Sequence, residues 1–157
     1  MAIEAVKNYF SQFKMDQRII EFDVSSATVE LAAQALGVAP QRIAKTISLR
    51  HDEGCLLVVA AGDAKVDNAK FKQHFQMKAR MLTPEEALAF TGHAVGGICP
   101  FAVPKDVAIY LDASLKRFDT VFPACGSGNS AIELTLEELS IYANSDQWVD
   151  VCKGWYE

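Results

Sequence analysis

Apolar residues recur at intervals of three and four along two stretches of the N-terminal third. Residues 2–14 place them on one stripe, as in a surface helix that faces a core. A second stretch has the same period, with Ser25 and Ser26 before it as candidate N-caps and Gly37 after it as a stop. The apolar faces of these two predicted helices consist of Ile3, Val6, Phe10 and Phe13, and of Val29, Ala32, Ala33 and Leu36.

The pattern then changes to that of strands. The run "CLLVVAA" (55–61) is continuously apolar and follows "TISLR" (46–50) and a polar turn "HDEG" (51–54). This arrangement predicts a hairpin whose second strand is buried on both faces. Further apolar runs predict strands over 18–22, 107–111, 120–124 and 130–134.

Helix-start signals lie between these runs. Pro40 can open a short helix that ends near Lys45, since its missing N–H costs nothing at the first helical position. The stretch "NAKFKQHF" (68–75) has the spacing of a short amphipathic helix. Thr83 and Thr135 are each followed three residues later by a glutamate, which predicts two capping boxes.

Hairpins are thus mixed with helical crossovers, and no repeat or linker interrupts the chain. Neither a pure parallel βαβ array nor an all-β sandwich fits this order. The sequence predicts an α+β fold, with a curved mixed β-sheet flanked by helices. A length of 157 residues suits one domain, so we expect residues 1–157 to form a single unit.

Composition narrows the class of protein. Half of the residues are hydrophobic and 22% are charged, as in an ordinary globular protein. The first helix mixes acidic and basic residues into its apolar pattern, unlike a signal peptide. No apolar run approaches the ~18 residues that span a membrane. We expect a cytoplasmic protein without a membrane partner, and the sequence does not indicate its oligomeric state.

The cysteines and histidines do not form a recognisable metal or disulfide pattern. The four cysteines include no C-x-x-C pair, and the three histidines are not at ligand spacing from them. We therefore expect no metal, no disulfide framework and no cofactor. The residues concerned are Cys55, Cys99, Cys125 and Cys152, and His51, His74 and His93.

The net charge of −5 argues against binding nucleic acid through the whole surface. A local basic run is nevertheless present, and Lys116 with Arg117 forms a second pair. A solvated face is the ordinary explanation of such a run, and contact with nucleic acid is the alternative. The run consists of Lys65, Lys70, Lys72, Lys78 and Arg80.

Standard catalytic motifs do not occur: there is no G-x-x-x-x-G-K-[ST], no H-E-x-x-H and no G-x-S-x-G. The glycine-rich run "CGSGN" (125–129) lies between two predicted strands, which favours a hairpin loop over a phosphate site. Cys99 has His93 nearby in sequence, but nothing marks it as a thiol of lowered pKa. An inert thiol is therefore favoured over a nucleophile.

The stretch "GHAVGGICPF" (92–101) has an unusual backbone composition. Gly96 and Gly97 can take positive φ without penalty, which lets successive N–H groups point into a cavity. Pro100 fixes the exit of the loop. Such a backbone can form an oxyanion hole, and the alternative is a turn that only reverses the chain. The residue types alone leave both possibilities open.

Three segments, "RIAKTISL" (42–49), "VGGICPF" (95–101) and "SAIEL" (130–134), resemble in order and separation the YbaK/EbsC family. That family includes the editing (INS) domain of bacterial prolyl-tRNA synthetases and its free-standing relatives. The resemblance covers about residues 20–140. It requires both the lysine after an A-L-G-x-x-P segment (35–40) and the later G-x-x-x-P loop. It implies the fold of the prolyl-tRNA synthetase-associated domain.

The resemblance also implies a function. It implies hydrolysis in trans of the ester of a mischarged tRNA, such as tRNA-Pro carrying a small amino acid, without a metal or a covalent intermediate. The implied partners are the aminoacylated acceptor end of tRNA and prolyl-tRNA synthetase. Here Cys99 stands where relatives often carry serine, and Ala131 where cysteinyl-specific members tend to be acidic. A module that binds an aminoacyl or nucleotide ligand, or a synthetase, without turnover is the alternative.

The same resemblance implies the site residues. The lysine and the loop backbone would hold the substrate, while a water or a terminal-ribose hydroxyl drives the reaction. The catalytic residues implied are Lys45, Gly96, Gly97, Ile98, Cys99 and Pro100. The residues expected to contact the substrate are Thr46, Phe101, Gly126, Ser127, Asn129, Lys70 and Lys72.

Overall fold

The structure of the protein is a computed structural model that describes residues 2–155, so residues 1, 156 and 157 of the expected single unit lie outside it. Short 3-10 helices cover Asp16–Arg18, Pro40–Arg42 and Ala113–Arg117. No helix of the described residues combines the length and apolar character needed to cross a membrane. The α-helices are α1 (Ala2–Ser11), α2 (Val29–Leu36), α3 (Asn68–Phe75), α4 (Pro84–Thr91) and α5 (Leu136–Tyr142).

The strands are β1 (Ile20–Glu21), β2 (Ile43–His51), β3 (Gly54–Ala61), β4 (Lys65–Val66), β5 (Ala108–Asp112), β6 (Thr120–Pro123), β7 (Ser130–Ala131), β8 (Leu134–Thr135), β9 (Trp148–Val149) and β10 (Cys152–Lys153). Six of them form one mixed sheet in the order β8-β6-β2-β3-β5-β9. The other four form two-stranded ribbons, β1 with β7 and β4 with β10. The expected α+β class with a curved mixed sheet is confirmed.

The antiparallel hairpin of β2 and β3 is the centre of the sheet. Its register runs from Ala44 opposite Ala61 to His51 opposite Gly54. β3 also pairs in parallel with β5, so neither of its edges is free. Residues 55–61 are at most 5% exposed, as a continuous apolar run requires. The predicted hairpin with a buried second strand is confirmed.

The predicted capping signals form as expected. Thr83 and Thr135 each accept a hydrogen bond from the backbone N–H three residues on, and the carboxylate of the glutamate at that position accepts one from the threonine N–H. Asp67 caps α3 by accepting from the N–H groups of Ala69 and Lys70. These caps satisfy donors that a helix N-terminus leaves unpaired.

The predicted N-caps of α2 are wrong. The helix begins after Thr28, whose hydroxyl accepts from the N–H of Leu31. Ser26 instead donates its backbone N–H to the carbonyl of Gly128 at 2.7 Å. This contact with a distant loop holds the segment before α2 away from the helix, and local propensity does not reveal it.

The predicted position of Lys45 at a helix end is also wrong. The helix opened by Pro40 is a single 3-10 turn that ends at Arg42, and Lys45 lies in β2. Strand β2 begins directly after this turn, because Ile43 and Ala44 pair in parallel with β6. Pairing over a long sequence separation thus overrides the local helix signal.

Two predicted strands are shorter than expected. The stretch 18–22 begins with a 3-10 turn and keeps only β1. The stretch 130–134 is divided into β7 and β8, because the N–H of Ile132 bonds to the carbonyl of Pro123 between them. The loop 125–129 is therefore not the hairpin loop that was expected, since β6 pairs with β8 and β7 with β1.

We predict that Asp112→Ala destabilises the fold. The carboxylate of Asp112 is fully buried at the end of β5 and accepts from the N–H groups of Ser114 at 3.0 Å and Val151 at 2.9 Å. Loss of the carboxylate leaves two buried donors unpaired, and we expect the free energy of unfolding to fall by about 1–3 kcal/mol or more. Urea unfolding measures it.

The matched control is Asp119→Ala, because Asp119 is exposed. Its free energy of unfolding should stay within about 0.5 kcal/mol of the wild-type value. Equal stability of the two variants would contradict the role of Asp112.

Candidate functional site

A cavity of about 400 Å³ opens where β2 lacks a strand partner on its outer edge. At one end of β2 this edge pairs with β6, and at the other end Leu49 bridges to Met81. Between these contacts, no strand of the described residues covers the edge from Lys45 to Ile47. The cavity therefore lies against an edge of the kind that presents unpaired backbone polar groups.

Three further segments close the cavity: the start of α2, the loop after α4, and β7. They bring hydroxyl groups together with small or branched apolar side chains. Met81 and Val95 at the cavity are 61% and 63% exposed, so its rim is apolar. The lining residues from the three segments are Ser26, Ala27, Thr28, Val29 and Ala32, then Val95, Gly96 and Ile98, and finally Ser130 and Ala131.

Lys45 supplies the positive charge of the cavity. Its Nζ donates to the carbonyl oxygen of Gly62 at 3.3 Å. Partial burial lowers the pKa of the Lys45 ammonium, while the negative charges of Asp63 and Glu30 oppose that shift. An ammonium has three donors. The bond to Gly62 fixes its position and leaves two of them for a ligand.

Two hydroxyl groups beside Lys45 have no partner. Thr46 Oγ1 and Ser26 Oγ are buried, and neither forms a hydrogen bond within residues 2–155. Both residues line the cavity. A buried polar group without a partner costs about 1–3 kcal/mol. A ligand that brings a polar group to this wall could therefore gain hydrogen bonds from these hydroxyls, after only a small movement of their side chains.

The loop after α4 presents its backbone to the cavity. Gly96 has φ of +99°, a value that favours glycine. Gly97 does not have positive φ, and its N–H donates to the carbonyl of Ala94 at 3.0 Å. The N–H groups of Gly96 and Ile98 donate no hydrogen bond within the described chain. These two groups, and not that of Gly97, are available to an oxyanion.

Gly97 is required for a different reason, which is close packing against a second loop. A Cβ atom at position 97 would lie 2.5 Å from the nitrogen of Ser127 and 2.7 Å from the carbonyl carbon of Gly126. Contacts this short do not occur, so only glycine lets the two loops touch. The loop 125–129 therefore supports the loop 95–100 from behind.

The supporting loop is itself held by hydrogen bonds. Ser127 Oγ lies 2.8 Å from Ser130 Oγ and 2.9 Å from Asn129 Oδ1. The Asn129 amide donates to the carbonyl of Phe22 at 3.1 Å. Ser127, Asn129 and Gly126 were expected to contact substrate, but none of them lines the cavity. The structure places them in this support.

His93 closes the loop 93–101 on itself. Its Nε2 lies 2.8 Å from the carbonyl oxygen of Phe101. A carbonyl only accepts, so Nε2 carries the proton and cannot take one from the Cys99 thiol 3.5 Å away. Nδ1 is buried without a partner in the described chain. Burial lowers the pKa of His93 and keeps the ring neutral.

The Cys99 thiol lies outside the cavity lining and is fully buried. Burial raises the pKa of Cys99 to about 12, so the nucleophilic thiolate is not populated at neutral pH. The same cause raises the pKa of the other three thiols, all buried, which belong to Cys55, Cys125 and Cys152. Among residues 2–155, no three histidine, cysteine or carboxylate side chains come together as a metal site would need.

The remaining expected residues separate into three places. Phe101 is fully buried in the core, with its ring 4.8 Å from that of Phe10 of α1. Pro100 lies on a second groove on another side of the loop. Lys70 donates to Asp150 and to the carbonyl of Cys152, both at 3.0 Å, and exposed Lys72 does not line the cavity. Of all the expected site residues, four line the cavity: Lys45, Thr46, Gly96 and Ile98.

Several lining residues carry no signal of function in the sequence. Ser26 has the sequence pattern of a helix cap, and Val29 and Ala32 have that of a core-facing helix stripe. Met81 and Leu82 reach the cavity because their segment bonds to the far end of β2, where Leu82 N–H meets the carbonyl of Ser48 at 3.2 Å. Only an alignment of relatives would mark such positions in advance.

Comparison with known proteins places this geometry in context. A family model described as "Aminoacyl-tRNA editing domain" matches residues 24–141. The chain is 54% identical to "Uncharacterized protein YwhH" of Bacillus subtilis, with 99% of each chain covered. It is 27% identical to "Putative Cys-tRNA(Pro)/Cys-tRNA(Cys) deacylase EbsC" of Enterococcus faecalis, with 85% of this chain and 84% of that protein covered.

A solved structure is similar over nearly the whole chain. It is described as "Crystal structure of a putative trans-editing enzyme for prolyl tRNA synthetase" and is 26% identical. The TM-score is 0.86, and 98% of each chain is covered. The residues that line the cavity fall within the segment that the family model matches.

We predict that Gly97→Ala separates the two loops. The added methyl group cannot occupy space 2.5 Å from the Ser127 nitrogen, so the loops must move apart. Cys99 and Cys125 are buried beside these loops, and their thiols should react faster with a maleimide at pH 8. Mass spectrometry of the labelled peptides measures the rates. Gly54→Ala is the control, because the nearest atom to its added Cβ is 3.9 Å away; equal labelling of both variants would contradict the contact.

We predict that His93 makes stability fall with acidity. The folded ring has a lowered pKa, so below pH ~6.5, the ordinary value, the unfolded chain binds more protons. Stability should fall as pH decreases from there toward the lowered value, by up to about 1.4 kcal/mol per pH unit. His93→Gln keeps an N–H for Phe101 but does not titrate, so its curve should be flatter. The control His51→Gln should follow the wild type; parallel curves for all three proteins would refute the assignment.

Proposed function

The chain belongs to the aminoacyl-tRNA editing domain family, and from that premise we propose that it hydrolyses in trans the ester of a mischarged tRNA. The observation that carries the proposal is the convergence of three groups on one cavity. These are the Lys45 ammonium and the N–H groups of Gly96 and Ile98, which donate no hydrogen bond within the described residues. A cation and two backbone donors from residues that line the same cavity suit a carbonyl that acquires negative charge.

The chemistry needs no nucleophilic side chain. An aminoacyl ester is already reactive, so orientation and stabilisation of the oxyanion supply the catalysis. The oxygen of a water molecule bonds to the ester carbonyl carbon, and the carbonyl oxygen becomes the oxyanion. The carbonyl then re-forms as the bond from its carbon to the ribose oxygen breaks, and the proton given up by the water passes to that oxygen, which leaves a free amino acid and a ribose hydroxyl. A hydroxyl of the terminal ribose can position that water. The buried Cys99 thiol has no part in these steps.

The cavity favours a small amino acid. Its volume of about 400 Å³ must hold the aminoacyl group with part of the terminal ribose, and Ile43 and Phe122 restrict it from the sheet side. Ala32 and Val29 of α2 leave limited apolar space beside them. We therefore propose a small amino acid on tRNA-Pro as the substrate. Similarity to a putative Cys-tRNA(Pro)/Cys-tRNA(Cys) deacylase and to a putative trans-editing enzyme for prolyl tRNA synthetase supports this choice.

The partner is the acceptor end of the tRNA, because a net charge of −5 disfavours a wide nucleic-acid interface. The exposed side chains of Met81 and Val95 at the rim offer an apolar surface for the terminal nucleobase. Prolyl-tRNA synthetase is a further proposed partner, since it produces the mischarged tRNA. The reaction would take place in the cytoplasm.

We predict that Lys45→Ala abolishes most of the activity. The substrates are tRNA-Pro charged with alanine, cysteine or serine, and release of the amino acid under single-turnover conditions is the measurement. Loss of one preorganised electrostatic contact costs about 10²–10³ in rate. Lys45→Arg should rescue poorly, because a planar guanidinium does not occupy the place of a compact ammonium. The melting temperature should change little.

The control is Lys105→Ala, because Lys105 is exposed on the second groove. It should deacylate at the wild-type rate. Near-normal turnover by Lys45→Ala would refute the assignment of this site. No release from any charged tRNA by the wild type, with tRNA still retained on a filter, would instead identify a binding module without turnover.

A further inference from the structure

Two lysines lie opposite each other across the ribbon of β4 and β10, and neither forms an ion pair with a described residue. Lys65 is directly opposite Lys153 in the antiparallel register. Directly opposed residues have Cβ atoms about 4.5–5.5 Å apart on one face, and like charges there destabilise the pair. Both side chains are exposed, and neither ammonium has an ion pair or hydrogen bond within residues 2–155. The fold thus keeps a pair of like charges that no ion pair of the described residues neutralises, although the carboxylate of Asp67 attracts Lys153 from beyond ion-pair distance.

This ribbon is joined directly to the reactive end of the cavity. The carbonyl that accepts from Lys45 Nζ belongs to Gly62, three residues before Lys65. The next residue, Asp63, has its carbonyl oxygen 3.6 Å from the point where a Cβ of Gly154 would lie. The segment 62–65 therefore connects Lys45 to both lysines.

The carboxylates near the ribbon are already engaged. Asp63 pairs with Arg117 at 2.6 Å. Asp67 caps α3, and the hydrogen bond from the N–H of Lys70 is the main cause that lowers the pKa of its carboxylate. Asp150 pairs with Lys70 at 3.0 Å. Asp63 and Asp150 are paired with other cations, and Asp67 attracts Lys153 while it caps α3, so the repulsion between the two lysines is only partly offset and a ligand can relieve it further. The same contacts neutralise Arg117 and Lys70.

We propose that Lys65 and Lys153 bind phosphodiester groups of the RNA strand that leads to the ester. This inference rests on the proposed function, and it identifies the surface by which the substrate's phosphates are recognised. Phosphate oxygens lying between the two ammonium groups would relieve their repulsion and place the strand beside Lys45. The sequence predicted that Lys70 and Lys72 contact nucleic acid. The proposal replaces them with Lys65 and Lys153, which have no ion pair or hydrogen bond in the described chain and are adjacent to the cavity.

The test uses as its probe an RNA hairpin with a single-stranded 3′ CCA end that carries no amino acid. Lys65→Gln, Lys153→Gln and the double variant are compared with the control Lys105→Gln by fluorescence anisotropy across a range of salt concentrations. Each single change should reduce the slope of log Kd against log salt by about 0.7, the contribution of one contact to a single strand. Lys65→Gln should leave the melting temperature equal to or above that of the wild type, because repulsion is relieved, whereas Lys153→Gln also loses the attraction of Asp67.

Unchanged salt slopes for all three variants would overturn the proposal. Binding of vesicles of anionic phospholipid through the same lysines, with no change in RNA affinity, would also overturn it in favour of a membrane surface. In deacylation assays, the Lys65 and Lys153 variants should have a higher KM, whereas Lys45→Ala should have a lower kcat. Lysine-dependent RNA binding without any deacylation by the wild type would support this surface and refute the proposed function, so the two can fail separately.

Discussion

A strand that is paired along the whole of one edge, and only at the two ends of the other, determines where this fold can bind a ligand. β2 is held by β3 throughout, and by β6 and the Met81 segment at its ends. The stretch between these contacts has no strand partner among the described residues. The neighbouring segments therefore surround the gap and form a cavity, in which Lys45 is fixed by the most buried hairpin of the sheet.

The groups proposed to act in the site are mostly backbone, and the fold positions them through glycine. Gly96 supplies a conformation that side-chain-bearing residues avoid, while Gly97 lets two loops touch. His93, at the start of the same loop, is hydrogen-bonded to the carbonyl of Phe101 at its end. Three unlike features thus hold one short loop, so the two N–H groups that donate no hydrogen bond within the described residues are preorganised before any ligand arrives.

The sequence predicted the elements that local signals control and missed those that distant contacts control. Capping boxes at Thr83 and Thr135 formed as expected, because their partners are three residues away. Ser26 and Lys45 were placed on helix ends, because nothing local shows that Gly128 and β6 bind these segments. For the site, Lys45 and Gly96 could be named from a family motif. Ser26 and Met81 could not, since they reach the cavity only through pairing over long separations.

Reliance on backbone and ammonium groups has a consequence for chemical durability. Oxidants such as hydrogen peroxide attack thiolates, and a hydrolase that uses a cysteine nucleophile is inactivated by them. Here all four thiols are buried with raised pKa values, and none lines the cavity. Lysine ammonium and peptide N–H groups are not oxidised under those conditions. The groups proposed to stabilise the oxyanion can therefore persist during peroxide stress, when a site built on a thiolate would lose its nucleophile, and oxidation at the rim would fall instead on the exposed thioether of Met81.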